Sequence, residues 1–246
     1  MSGSHYSSYN QRVKVARLHS WQVSTGQATD IQRGLAARIS REGEPGILRF
    51  VAGVDISVSR ALGTATAAVV VLKYPELIAV EVKKASGKLT LPYIPGLLSF
   101  RESPLILAAC RMVNLTPDLI LVDGHGVAHP RRVGLASHLG IFLKIPTVGC
   151  AKSLLCGKCA APGEEPGDYS EIVDRGETIG VVLRTRAGVK PIYVSTGHLI
   201  SLEMAIYWVL KCCRGYRLPE PTRLAHMAAG GNLKLEKDYG ETECRS

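Results

Sequence analysis

The fold class is decided by residues 49–58, Arg-Phe-Val-Ala-Gly-Val-Asp-Ile-Ser-Val, an apolar run that carries one carboxylate, Asp55. Apolar and β-branched residues between turn-forming residues are typical of a strand. Two further runs of this kind occupy residues 65–74 and 77–84, and Tyr-Pro-Glu at 74–76 separates them. Three such strands joined by short connections predict an antiparallel meander.

Helical and strand patterns alternate after the meander. Apolar residues at 105, 108, 109 and 112 have helical spacing, and Ser103-Pro104 is interpreted as the N-cap and first residue of this helix. Residues 119–122 and 146–151 predict buried strands on either side of a helix at 135–142. A hairpin at 177–195 and a helix capped by Ser201 follow. A helix is also expected within residues 11–40, and residues 155–174 are expected to form a flexible insertion. This order predicts an α/β fold with a mixed sheet.

The length of 246 residues suits one large domain. The expected division is a loose tail at 1–10, one domain at 11–228 and a C-terminal tail at 229–246. The longest apolar run, residues 67–72, is far shorter than the roughly 18 residues that span a bilayer. No secretion signal pattern is present, and seven cysteines without framework spacing favour a reducing cytoplasm.

The charge balance points to a polyanionic partner. Thirty Lys and Arg against 21 Asp and Glu give a net charge of +9, which attracts phosphates over a long range. Charge alone does not separate a nucleic acid from an anionic membrane surface.

Three acids are candidates for a metal centre. Asp55 lies within an apolar strand, Asp123 ends another, and Glu102 precedes the Ser103 cap. A carboxylate among apolar residues is costly unless it is paired or metal-bound. Carboxylates with water and phosphate suit Mg²⁺, and paired ions can promote phosphodiester cleavage. Alternatively, Asp55 takes a hydrogen bond in the sheet and Asp123 opens an Asp-Gly turn.

Histidines and cysteines offer weaker alternatives. His125 and His129 flank Asp123 closely enough to suggest zinc, or they lie in a surface loop. Cys156 and Cys159 form half of a zinc motif without a second half. His138 lies on the apolar face of a helix, where a core histidine is the more common use.

Basic and aromatic residues are candidates for nucleic-acid contacts. Lys152 follows a buried strand and could meet a phosphate, or it could be a solvated charge. The segment 213–226 carries three arginines and a histidine, which suits a nucleic-acid backbone or a solvated basic stretch. Tyr93 lies in Pro-Tyr-Ile-Pro-Gly at 92–96, a stiff loop that could wedge into a base stack or pack locally.

Seven segments, taken in order, resemble the endonuclease V family, which is the inosine-directed nuclease family of nucleic-acid repair. The resemblance runs from about residue 13 to residue 227. The segments are residues 51–57 (Val-Ala-Gly-Val-Asp-Ile-Ser), 92–102 (Pro-Tyr-Ile-Pro-Gly-Leu-Leu-Ser-Phe-Arg-Glu), 121–131 (Leu-Val-Asp-Gly-His-Gly-Val-Ala-His-Pro-Arg), 136–140 (Ala-Ser-His-Leu-Gly), 146–152 (Pro-Thr-Val-Gly-Cys-Ala-Lys), 194–198 (Val-Ser-Thr-Gly-His) and 216–226 (Tyr-Arg-Leu-Pro-Glu-Pro-Thr-Arg-Leu-Ala-His).

The resemblance implies a ribonuclease H-like fold with a five-stranded mixed sheet flanked by helices. It implies Mg²⁺, or Mn²⁺ in its place, and hydrolysis of the second phosphodiester bond 3′ to a deaminated adenine, leaving 3′-hydroxyl and 5′-phosphate ends. By motif, the resemblance implies that Asp55, Glu102 and Asp123 are metal-binding carboxylates and that His226 is a fourth active-site position. It implies that Lys152 contacts a phosphate and that Tyr93 is the wedge tip. It places the base pocket at Gly124, His125 and Gly126, with His138 as a nearby histidine.

Deoxyinosine in DNA is the expected substrate, and the chain is expected to act as a monomer. The motif Leu-Ala-His at 224–226 resembles bacterial members of the family, which favours DNA. An inosine-specific endoribonuclease remains an alternative, because the sequence does not show how a 2′-hydroxyl is received. A non-catalytic nucleic-acid-binding protein is a further alternative, against which the presence of all three acids argues.

Overall fold

A computed structural model describes residues 12–59 and 63–233 of the chain. The tail expected at 1–10 and residues 234–246 of the tail expected at 229–246 lie outside the described residues. The helices and strands, in chain order, are α1 (Thr25–Ala36), β1 (Phe50–Ser59), β2 (Thr64–Lys73), β3 (Ile78–Lys88), α2 (Leu98–Arg111), β4 (Leu119–Val122), α3 (Leu135–Leu143), β5 (Thr147–Ala151), β6 (Tyr169–Asp174), β7 (Glu177–Leu183), β8 (Ile192–His198), α4 (Leu202–Lys211) and α5 (Glu220–Ala229).

The strands form one mixed sheet in the order β3-β2-β1-β4-β5-β8-β7-β6. Strands β1 to β3 are the predicted antiparallel meander. Strands β4 and β5 extend it in parallel from β1, because helices α2 and α3 provide the crossovers that parallel pairing requires. The mixed sheet flanked by helices is therefore confirmed.

The expected number of five strands is wrong, because the sheet has eight strands. The first five in spatial order make up the mixed part, and β8, β7 and β6 continue it with antiparallel pairs. The predicted hairpin is β7–β8. Strand β6 lies at the end of the region expected to be a flexible insertion. Its six residues, Tyr169–Asp174, are too few and too polar for their sequence pattern to indicate a strand.

Two apolar layers cover the two faces of the sheet. Helices α4 and α5 pack on one face through residues such as Val209 and Ala225, while α2 and α3 pack on the other through Ile106 and Leu139. The central strand β4 is buried along its whole length, as its continuous apolar run predicts. The domain boundaries expected at 11 and 228 remain a prediction.

Helix α1 lies within its predicted range, whereas helix α2 begins before its predicted position. Helix α1 begins after Ser24, whose side chain accepts from Gln27 N while the Gln27 side chain accepts from Ser24 N, so residues 12–23 precede the helix. Helix α2 begins at Leu98, and the predicted start at Ser103-Pro104 is wrong because Pro104 lies inside the helix. Proline removes one intrahelical hydrogen bond, and packing of α2 against β2 and β3 keeps the helix continuous there. None of the helices that the structure describes is both long and apolar enough to cross a membrane.

Candidate metal centre and nucleic-acid site

Two of the predicted acids meet at the centre of the sheet because their strands are parallel neighbours. Val54 of β1 pairs with Val122 of β4, and the backbone N–H of Asp123 donates to the carbonyl of Val54 at 3.2 Å. Asp55 follows Val54 within β1, and Asp123 is the first residue after β4, so the two acids lie side by side. Both side chains are largely buried, so their charges are poorly solvated.

Helix α5 brings His226 to these acids. A Cβ atom at Gly53 would lie 1.8 Å from the carbonyl oxygen of Pro221, so only glycine lets the start of α5 approach β1 this closely. His226 Nδ1 then lies 2.7 Å from Asp55 Oδ2. One ligand atom each from Asp55, Asp123 and His226 lie within 4.8 Å of one another.

Glu102, on helix α2, is not among the three grouped residues, but it lies near enough to Asp55 and Asp123 for their charges to interact. Its side chain is buried, and its pKa is raised to about 8 by burial and by the nearby charge of Asp55, with Arg101 opposing the shift. Burial and Asp123 also raise the pKa of Asp55, while the hydrogen bond from His226 opposes that shift. Acids that are crowded together in this way favour a bound cation, which would relieve their mutual repulsion.

The donor set fits a divalent cation. The ligand atoms of two carboxylates and an imidazole lie within 4.8 Å of one another, and the carboxyl group of Glu102 is near enough to interact with both acids. Oxygen donors of this type suit Mg²⁺ and Mn²⁺. The structure thus supports a metal site built from Asp55 and Asp123, with Glu102 and His226 beside it, while the identity of the ion is a separate question.

Lys152 lies at the edge of the centre, directly after β5. Its Nζ is 2.5 Å from Asp123 Oδ2, an ion pair without the angles of a hydrogen bond, and its side chain is 40% exposed. Arg217 holds the backbone there, because its Nη2 donates to the carbonyl of Lys152 at 2.8 Å. The same guanidinium also donates to the carbonyls of Lys190 and Pro191, each at 2.9 Å.

The arginines of segment 213–226 are engaged with the protein, unlike the arginines of a free phosphate-binding stretch. Arg214 donates to the carbonyl of Pro75, and Arg223 pairs with Glu220. With Arg217 bound to three carbonyls, the interpretation of this segment as a backbone-binding stretch receives no support. Instead, the segment places His226 beside the two aspartates, and its Arg217 holds the backbone of Lys152. The composition of the segment did not reveal either role.

Tyr93 is exposed at the tip of the loop between β3 and α2. Its side chain is 68% exposed, and residues 92–96 carry the two prolines on either side of the ring. An aromatic ring that projects from a stiff loop can contact a partner with little loss of conformational entropy. Its role as a wedge stays a prediction.

Packing within the protein requires a glycine at position 126. A Cβ at Gly126 would lie 2.0 Å from the carbonyl oxygen of Thr196, and its N–H donates to Ser195 Oγ at 2.9 Å. His125 Nε2 lies 2.9 Å from the carbonyl of Ser153, directly after Lys152. Close packing against β8 therefore explains Gly126, and the assignment of this loop to a base pocket stays a prediction.

His138 has no surface that could contact a nucleotide. It is fully buried, with Nδ1 3.0 Å from Ser99 Oγ and Nε2 2.7 Å from His19 Nε2. Burial keeps its pKa well below the usual value for histidine, so the ring is neutral. Its assignment to substrate binding is wrong in this structure; it is the core histidine that its apolar helix face suggested.

The zinc alternatives gain no support in the described part of the chain. The grouping of Asp55, Asp123 and His226 is the only set of three or more potential ligands found there. Cys156 and Cys159 are free thiols packed beside Ile172, and His129 Nε2 lies 3.0 Å from the carbonyl of Gly96.

A mixed α/β sheet with an acidic centre and an adjacent lysine defines a nuclease that hydrolyses phosphodiester bonds. The chain belongs to the endonuclease V family, whose sequence profile matches residues 33–227. An endonuclease V from Dehalococcoides mccartyi is 51% identical over 217 residues, which are 88% of this chain and 97% of that protein.

Solved structures agree with this assignment. The crystal structure of endonuclease V from Bacillus subtilis has a TM-score of 0.84 and 32% identity, and the match covers 89% of this chain and 96% of that one. Endonuclease V from Ciona intestinalis, in complex with a 24mer DNA containing an inosine followed by a ribo-adenosine, has a TM-score of 0.72 and 30% identity. That match covers 84% of this chain and 96% of the other.

Proposed function

We propose that this chain is a metal-dependent endonuclease that recognises deoxyinosine in DNA and acts in DNA repair. The cleaved bond is the second phosphodiester 3′ to the lesion, and the products carry 3′-hydroxyl and 5′-phosphate ends. The observation that carries the proposal is the convergence of Asp55, Asp123 and His226 within 4.8 Å, from strands and a helix far apart in sequence. The inosine-containing DNA bound by the Ciona protein supports the choice of substrate.

Asp55 and Asp123 would hold Mg²⁺, or Mn²⁺ in its place, with Glu102 close by. When bound, such an ion neutralises the acids, activates water and stabilises charge on the leaving oxygen. One chain supplies every residue of this centre, which supports action as a monomer.

The protein's own residues position the substrate and handle protons. Lys152 Nζ, paired with Asp123 and partly exposed, can also pair with a phosphate oxygen of the scissile strand. An ionised Asp55 only accepts hydrogen bonds, so His226 donates to it from Nδ1, which leaves Nε2 for other partners. Because the His226 side chain is 61% exposed, Nε2 is accessible for proton exchange with substrate or solvent.

Recognition of the lesion would combine the exposed Tyr93 with the loop at 124–126. Extrusion of a nucleotide costs a few kcal/mol and is cheapest for a weakly paired base such as hypoxanthine. Tyr93 would fill the vacated stack, and the extruded base would enter a pocket beside Gly124 and His125.

A gel assay with 5′-labelled duplexes tests this function directly. Incubation with Mg²⁺ should cut the inosine strand directly after the lesion's 3′ neighbour, at the second phosphodiester 3′ to the lesion, and a chelator should stop the reaction. An otherwise identical duplex with adenine in place of inosine is the control. Absence of a metal-dependent, inosine-dependent product would refute the proposal.

A second candidate function is cleavage of inosine-containing RNA. The ribo-adenosine that follows inosine in the nucleic acid bound by the Ciona protein favours it. An RNA strand of the same sequence, run beside the DNA, distinguishes the two. Faster cleavage of RNA under single-turnover conditions would reverse the preference for DNA.

A further inference from the structure

The carbonyl oxygen of Gly96 receives three side-chain donors at the point where the Tyr93 loop joins helix α2. Gln32 Nε2 donates to it at 3.0 Å, Arg131 Nη2 at 2.7 Å and His129 Nε2 at 3.0 Å. A carbonyl oxygen has two lone pairs, so three donors exceed its usual number of hydrogen bonds and hold the Gly96 carbonyl from three sides. These donors come from helix α1 and from the loop that follows Asp123.

The donors also fix one another. Arg131 Nε donates to Gln32 Oε1 at 2.6 Å, and the backbone N–H of Arg131 donates to His129 Nδ1 at 3.1 Å. The second amide hydrogen of Gln32 goes to the carbonyl of Val133 at 3.1 Å. Gln32 is fully buried, and its amide has no freedom to turn, because a reversed amide would place its oxygen against two carbonyls.

His129 must be neutral to take part in this network. It donates from Nε2 to Gly96 and accepts at Nδ1 from Arg131, which only the neutral Nε2–H tautomer can do. Gly96 itself must be glycine, because its φ is +80° and a Cβ there would lie 2.7 Å from Arg131 Nη2.

We propose that Gln32, Arg131 and His129 are positioning residues that lock the Tyr93 loop to the loop following Asp123, so that the tip of Tyr93 is held in register with the metal centre. This proposal rests on the proposed function. Gly96 lies three residues after Tyr93 and six before Glu102, so one carbonyl fixes both the start of α2 and the base of the loop. Without these hydrogen bonds, the Tyr93 ring would contact the base stack in many orientations. Cleavage in duplex DNA, where the stack has to be opened, would therefore be reduced most.

The variant Gln32→Glu tests the lock with little change in shape. A carboxylate keeps the bond with Arg131 but only accepts, so it loses both amide donors and faces the carbonyls of Gly96 and Val133. Gln27→Glu is the matched control, because it adds the same charge to the same helix and a glutamate can still accept from Ser24 N in the capping box. Arg131→Ala is the second variant, with Arg33→Ala as its control, because Arg33 is an exposed cation on the same side that pairs only with Asp30 among the described contacts.

Hydrogen exchange measures the lock without any substrate. In Gln32→Glu, the amides of Leu97 and Phe100, which donate to the carbonyls of Ile94 and Leu97, should exchange at least about tenfold faster, which corresponds to loss of one buried hydrogen bond, while those of β4 keep their protection. Gln27→Glu should exchange like the wild type. Unchanged exchange at Leu97 and Phe100 in both Gln32→Glu and Arg131→Ala would overturn the proposal, whatever the substrate proves to be.

Cleavage then tests the link to Tyr93. Single-turnover cleavage of inosine in duplex DNA should fall about tenfold or more in Gln32→Glu, and cleavage in single strands should change less than about twofold. In a Tyr93→Ala background the same change should have little further effect, because both act through one element. Equal losses on both substrates, or independent losses in the double variant, would show a general structural role. Failure of the wild type to cut inosine DNA would instead refute the proposed function.

Discussion

His226 Nδ1 lies 2.7 Å from Asp55 Oδ2, although 171 residues separate the two in the chain. The contact joins the last helix of the described fold to its first strand. It orients the imidazole at the edge of the acidic centre, where the second ring nitrogen is left for substrate or solvent. The same carboxylate is a candidate metal ligand, so His226 affects the centre both by position and by charge.

His226→Ala should reduce cleavage of inosine DNA by about 10- to 100-fold, the usual effect of losing a partner of a metal ligand. His226→Asp should retain more activity, because a carboxylate can serve beside the ion. Single-turnover rates at saturating Mg²⁺ measure both. Equal activity of the alanine variant and the wild type would remove His226 from the centre.

Asp55→Asn and Asp123→Asn should each abolish cleavage and leave DNA binding largely intact. Losing a carboxylate ligand removes several kcal/mol of transition-state stabilisation, on the order of a thousandfold in rate or more. Asp30→Asn, an exposed acid of α1, is the control.

A thermal shift provides an independent reading of the same two variants. Mg²⁺ at about 100 times its Kd should stabilise the wild type by about 2.7 kcal/mol, and the variants should lose most of this gain. Near-normal turnover together with a normal Mg²⁺ shift in either variant would contradict the carboxylate assignment.

Tyr93→Ala should lose cleavage of inosine in duplexes much more than in single strands, where no stack has to be opened. The ring is 68% exposed, so its removal should leave the melting temperature almost unchanged. Comparing the two substrates alongside a melting curve checks both points. A role in local packing would show itself as equal losses on the two substrates with a lower melting temperature.

Arg217→Ala should slow cleavage without changing how affinity depends on salt. Its guanidinium is bound to the carbonyls of Lys152, Lys190 and Pro191, so its loss displaces the backbone behind Lys152. Lys152→Ala should instead reduce the slope of log affinity against log salt by about 0.9, the value for one phosphate contact. Arg214→Ala, which removes an arginine bound to Pro75, controls for net charge. A reduced slope in Arg217→Ala would return this residue to the nucleic-acid interface.

The stability of the protein should fall as the pH drops from about 6.5 towards 4, and His129 should contribute to this fall. Burial lowers the pKa of His129 to about 4, with Arg131 adding to the shift and the bond to Gly96 opposing it. Between pH 6.5 and 4 the unfolded chain therefore binds a proton at His129 that the folded protein does not bind. The contribution of His129 to the free energy of unfolding is fully present above pH 6.5 and is lost as the pH falls towards 4. It amounts to on the order of 3 kcal/mol.

His129→Gln should flatten this part of the pH profile. Urea unfolding at several pH values measures the difference, and the wild type and variant should converge towards pH 4. A constant difference across the window would mean that His129 is not held neutral.

Local patterns were enough to predict the order of the elements from β1 to α4, apart from β6, and the identity of the acids. Helix α5, which carries His226, was not predicted. The apolar run with Asp55, the meander and the buried strand ending at Asp123 follow from period and composition, because strand patterns are local properties. Polar residues in apolar strands are costly, so the presence of Asp55 made it a candidate for a functional centre, beside the alternative of a hydrogen bond within the sheet. The sequence misplaced the start of α2, since Ser103-Pro104 imitates a helix start, and it missed β6, whose short pattern alternates weakly.

Which of these residues meet depends on long-range contacts. The pairing of Val54 with Val122 placed the two aspartates together, and the close approach of Pro221 to Gly53 placed His226 over Asp55. Both are long-range contacts, which no local pattern encodes. The same holds for the arginines of segment 213–226, whose charges suggested phosphate but whose donors reach backbone carbonyls or the carboxylate of Glu220. Composition fixes how many donors a chain has, whereas the fold decides which acceptors they reach.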